Sequence, residues 1–143
     1  VRFLVFVVFL LAGCSSNQMD EPPAGKVQVN DQKVDLESGA YQWERGTLFS
    51  KETVTTDSAS PTEMAEAMDK EKVQAEAEAE ISFSEQAEDI QVYLWENEQE
   101  MEHISEEGTW TLPSESGEYV YEVLGQWPQG EVSYTMVVQV DSL

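Results

Sequence analysis

The chain is 143 residues long, and its 7 Lys and Arg stand against 29 Asp and Glu, for a net charge of −22. That balance excludes the positive surface by which proteins hold the phosphates of nucleic acid, and with it a basic patch able to bind an anionic lipid face. Cys14 is the sole cysteine, so no disulfide can form within the chain, and the length suits one domain plus a tether, since domains run about 100–150 residues.

Residues 3–11 are an apolar run behind Arg2, leading into Ala12, Gly13 and Cys14. A secretory signal has a basic start, an apolar stretch of about 7–15 residues and small residues before the cut, and those parts follow here in order. The run is too short to cross a bilayer, which takes about 20 residues. A buried strand with a core cysteine is the competing reading, and the match to every part of an export signal outweighs it. Leu11-Ala12-Gly13-Cys14 resembles the bacterial lipobox. The resemblance implies a signal peptide over residues 1–13, a diacylglyceryl group on Cys14 and a place on the extracytoplasmic face of the cell membrane. Two acyl chains anchor stably where a single chain binds only marginally. Residues 14–25, polar and carrying Pro22-Pro23, are expected to form a flexible tether, with the folded domain over residues 26–143.

Val27 and Val29, then Val34 and Leu36, alternate on either side of Asn30-Asp31, a pair that tolerates left-handed backbone, and predict a hairpin. Gly39 is expected to break it, with Tyr41 and Trp43 following at strand spacing. Residues 45–60 read mostly as loop, with one edge strand over residues 47–49. Ser60, Pro61 and Glu63 then spell a helix start, a capping box with proline at the first helical position. The helix is expected to end at residues 70–72, where lysines suit the negative end of its dipole.

In residues 74–83 alanines alternate with glutamates, a strand period written in helix-forming residues. On a helix the alanines would scatter around the cylinder, so the period predicts a strand over residues 78–83. Ile90, Val92 and Leu94 make the next strand, with Tyr93 and Trp95 on its other side. Residues 96–107 are acidic, with Met101 and Ile104 as the aliphatic anchors of a short strand or an exposed loop. A short strand over residues 109–112 ends at Pro113. The strongest signal is a C-terminal hairpin, with Tyr119, Tyr121, Val123 and Trp127 on one face of its first strand and Val132, Tyr134, Met136, Val138 and Val140 on one face of its second. Trp127-Pro128-Gln129-Gly130 reads as a type I turn within a three-residue hairpin loop.

Gly117-Glu118-Tyr119-Val120-Tyr121 resembles the Gly-x-Tyr-x-Cys segment of the penultimate strand in immunoglobulin-like sandwiches. Tyr119 stands at the tyrosine-corner position and Tyr121 where antibody domains carry cysteine. The wider pattern, including Ile81-Ser82-Phe83 and Tyr93-Leu94-Trp95, is similar to small Gram-positive extracytoplasmic lipoproteins. The expected fold is an all-β, immunoglobulin-like or fibronectin-like β-sandwich with one short capped helix. These likenesses bring no catalytic residues with them.

Chemistry is sparse. His103 is the sole histidine, no Gly-x-Ser-x-Gly elbow accompanies it, and zinc wants several His or Cys ligands. Acid pairs able to cleave a glycosidic bond would arise by chance among so many carboxylates. Calcium is the more natural metal for such a chain, yet no Asp-x-Asp-x-Asp-Gly loop occurs, and a solvated acidic face accounts for the same residues. Tryptophans 43, 95, 110 and 127, with Tyr41 and Tyr93, divide between core and an aromatic platform. Core is the commoner use in small β domains, and Tyr93 and Trp95, facing away from Ile90, Val92 and Leu94, are the candidate binding residues. The expected protein is a non-catalytic binding or interaction module without cofactor or metal. Its expected partners are the membrane, through lipid on Cys14, and an envelope protein or wall glycan, with no nucleic acid. The alternatives are an accessory module of an envelope enzyme or transporter, and a small acid-pair hydrolase.

Overall fold

A computed structural model describes residues 20–46 and 49–142; the expected signal peptide and Cys14 lie outside the described residues. The alternation of residues 25–36 folds as expected into β1 (Gly25–Val29) and the start of β2 (Gln32–Gly46). Val29 pairs with Gln32, and Asn30 adopts φ 52 in the two-residue turn, a left-handed conformation that asparagine accepts more readily than most residues.

Gly39 does not break β2. The strand runs through it and passes from one sheet to the other. Its first residues pair with β1, Glu37 to Trp43 pair with β10 (Gly130–Asp141), and Tyr41 to Gly46 pair with β3 (Lys51–Thr56). Glycine serves here as a point of close approach, since a Cβ would lie 3.0 Å from the Met64 sulfur. Residues 45–60, expected mostly as loop, instead hold the end of β2 and the whole of β3, because β3 finds a partner in Tyr41 to Gly46. Thr47 and Leu48 are outside the described residues, and Phe49 is exposed.

The helix α1 (Pro61–Ala67) starts as the sequence predicts. The Ser60 side chain accepts from the Glu63 N–H, and Glu63 reaches back to the Ser60 N–H. It ends earlier than expected, at the Met68 cap, with no basic residue in its last turn. Lys70 is drawn instead to Glu118, at 3.0 Å, because Glu71–Gln74 leave the helix as β4 and run parallel to the end of β10. Strand β5 (Glu78–Phe83) obeys the period and not the propensity. Ala75, Ala77 and Ala79 are all buried, and Glu76 makes the turn before β5 at φ 60.

The remaining strands are β6 (Asp89–Trp95), β7 (Met101–Ser105), β8 (Thr109–Thr111) and β9 (Gly117–Trp127). One sheet holds β1, the start of β2, β5 and β8; the other runs β7, β6, β9, β10 and the rest of β2. With β6, β9 and β10 standing as C, F and G, β7 as C′, and β5 and β8 as B and E, these pairings are those of an immunoglobulin-like sandwich. β1 and β2 are an addition that joins the two sheets along one side and makes the sandwich nearly a barrel. On the opposite side β7 and β8 end the strand path without pairing to each other as strands. Trp127 pairs directly with Gly130, so the C-terminal hairpin turns on two residues, Pro128 and Gln129, where three were expected.

The core between the sheets is aromatic at one end. Trp127 meets Trp43 edge-on at 5.9 Å and Phe83 at 4.9 Å, and its indole N–H donates to the Glu85 carbonyl at 3.0 Å. Trp110 lies 5.2 Å from Tyr121, the residue at the cysteine position, and the Tyr119 hydroxyl donates to the Glu115 carbonyl at 2.9 Å as a tyrosine corner should. Residues 20–24 also engage the domain. Pro23 is buried and its carbonyl accepts from the Tyr134 hydroxyl, while Asp20 and Ala24 accept from Arg45 and from the Ser84 N–H. The described part of the expected tether is therefore held against the sandwich.

Candidate functional site

Alternation along β6 sends Val92 into the core, where it is fully buried, and turns Tyr93 and Trp95 to the outer face of the sheet, where both are half-buried. Strand register then decides their neighbours. Tyr93 stands between His103 of β7 and Glu122 of β9, and Trp95 between Met101 and Val120. Gln91 stands opposite Leu124, which is itself opposite Ser133 of β10.

α1 covers one side of this face. Ala65 packs with Val120 and Val137, with Met68 and Trp95 against them, so Val137 and Thr135 are buried although they point away from the main core. Beyond the helix the face is open, and its polar groups are tied together. The Trp95 indole N–H donates to Glu122 Oε1 at 3.4 Å, and the Ser133 hydroxyl donates to Glu122 Oε2 at 2.6 Å. His103 Nε2 lies 2.6 Å from Gln91 Oε1, and its ring sits 5.1 Å from that of Tyr93. Burial of one edge of Trp95 and bonding of its N–H fix the ring, which lowers the entropy lost when a ligand stacks on it.

The two aromatic residues expected as binding candidates thus lie side by side on one open face, while Trp43, Trp110 and Trp127 are buried. His103 joins them through an amide and a phenol ring, not through a serine or a carboxylate. Sequence reasoning passed over Glu122, Ser133 and Gln91. Their signal was present in the outward positions of β9, β10 and β6, but which outward residue meets which depends on register, and register is set across strands far apart in the chain. Among the described residues no group of three or more His, Cys, Asp or Glu side chains gathers closely enough to hold a metal ion, and no helix is long and apolar enough to cross a membrane. In comparison with known proteins the chain matches no protein family, no curated protein and no solved structure at a significant level.

Proposed function

We propose that this is a non-catalytic binding module of the cell envelope, carried on the extracytoplasmic face by lipid on Cys14, and that its working surface is the open face around Tyr93 and Trp95. The observation that supports this reading is the pairing of two half-exposed aromatic rings with a connected set of polar groups, Glu122, Ser133, Gln91 and His103. A sugar ring offers apolar C–H groups on its faces and hydroxyls at its rim. Aromatic side chains with a polar handle suit the first, and a carboxylate, a hydroxyl and an amide beside them suit the second. Wall glycan is accordingly the ligand class that fits.

The test is cosedimentation of the full chain, purified in detergent, with insoluble wall glycan. Tyr93→Ala and Trp95→Phe should each weaken binding roughly tenfold, about 1.4 kcal/mol, with little change in thermal unfolding. Wild-type protein that stays in the supernatant, or variants that bind as well as it does, would defeat the glycan reading. The anchor is tested separately: Cys14→Ser should move the protein from the detergent phase to the aqueous phase, and a variant still membrane-bound would refute lipidation.

A further inference from the structure

We infer that the seam where the two sheets fail to join is a docking groove for a basic peptide segment of another protein. The strand path ends at β7 and β8, which touch through the Ser105 hydroxyl on the Thr109 carbonyl, at 2.8 Å, but do not pair as strands. Beside that join, between β5 and the start of β6, lies an open groove of about 420 Å³. Its floor is Ile81, Phe83 and Ile90, core residues that remain half-exposed because no strand covers them. Gly108 holds its edge in place. At φ 76 it turns the chain so closely that a Cβ would lie 3.3 Å from Ile90 Cδ1.

The rim carries Glu88, Asp89, Glu106 and Glu107. No Lys or Arg occurs in the chain after Lys72, and the ion pairs among the described residues, Lys26 with Asp35 and Lys70 with Glu118, involve none of these four. Asp89 accepts from Gln91, an amide that leaves its charge in place. The groove therefore joins an apolar floor to negative charge that the fold does not neutralise. A metal ion would need converging carboxylates, and these do not converge. An anionic lipid or a nucleic acid would be repelled. Lysine and arginine carry a cation on an aliphatic stem, and a segment with an apolar residue between two of them would fill the floor while its cations meet the rim. Because the rim is exposed, the charges steer encounter and select the partner, and the floor supplies the contact that excludes water. The inference stands apart from the glycan reading, which uses the outer face of β6 and not this seam.

The experiment is fluorescence anisotropy of the full chain in a non-ionic detergent with a short labelled peptide whose centre is Lys-Phe-Lys, alongside peptides centred on Lys-Gly-Lys and Glu-Phe-Glu. The Lys-Phe-Lys probe should bind, and the other two should bind more weakly by about tenfold or more. Replacing Glu106 and Glu107 together by Gln should weaken the Lys-Phe-Lys probe by about tenfold, whereas the same charge change at Glu98 and Glu100, at the other end of the β6–β7 hairpin, should leave it unchanged. Equal loss in both variants would reduce the effect to the general field of an acidic protein and overturn the proposal. So would absence of binding by Lys-Phe-Lys, or binding of Lys-Gly-Lys at the same affinity.

Discussion

Gly130 shows how tightly one residue can be specified. It pairs with Trp43 across β2 and β10, and a Cβ at this position would fall 1.8 Å from the Gln42 carbonyl oxygen. Backbone cannot yield as a flexible side chain does, so Gly130→Ala should cost upwards of about 2 kcal/mol, read as a lower urea midpoint. Two buried phenols, Tyr121 and Tyr134, tie stability to alkaline pH. Burial pushes Tyr121 up to about 12, with the Trp110 indole opposing and the neighbouring Tyr119 adding to the rise, and burial pushes Tyr134 up further. In the unfolded chain a tyrosine loses its proton near pH 10. Above that pH the unfolded state holds fewer protons than the folded one, so stability is intact below about pH 10 and falls as pH rises toward the folded values. Each such phenol contributes a slope of about 1.4 kcal/mol per pH unit. Tyr121→Phe should flatten the decline of thermal stability between about pH 10 and 12; an unchanged slope would show that this phenol does not govern it.

Secondary elements were legible where local pattern and local chemistry agree. The capping box around Ser60 needs no knowledge of the rest of the chain, and Ser60→Ala should remove about 1 kcal/mol, seen as a fall in melting temperature that Ser60→Gly largely avoids. The strand at β5 was readable because a period of two leaves a face that only a sheet can bury, whatever alanine and glutamate prefer in isolation. What could not be read was where elements stop. Lysines near residue 70 suit a helix end, yet α1 closes earlier because β4 is claimed by the exposed edge of β10. Gly39 looked like a break because its use depends on Met64, a neighbour only in space. The same division runs through the candidate site. Tyr93 and Trp95 were visible from the side of β6 they occupy, but Glu122 and Ser133 required the register of β9 and β10, which a single strand cannot disclose.

On the scale of the whole molecule the dominant fact is like charge. Acids far exceed bases, and self-repulsion of that kind weakens the compact state until salt screens it. The Debye length falls from about 10 Å at 0.1 M to about 3 Å at 1 M, so the melting temperature should rise with sodium chloride. Calcium at matched ionic strength should add little; a strong, saturable rise would mean a specific site, by the mass action of a ligand that binds only the folded state. A different consequence follows from β2, whose two ends belong to different sheets. Its partner β10 lies far along the chain, beyond seven intervening strands, so the hairpin of β1 and β2 cannot complete its pairing until β10 has been made. Contacts between such distant parts of a chain slow folding, into the range of about milliseconds to seconds for β-sandwiches. During that interval the second half of β2 is an unsatisfied edge, the kind of surface on which chains aggregate. The surplus of carboxylates, which strains the finished fold, keeps waiting chains apart.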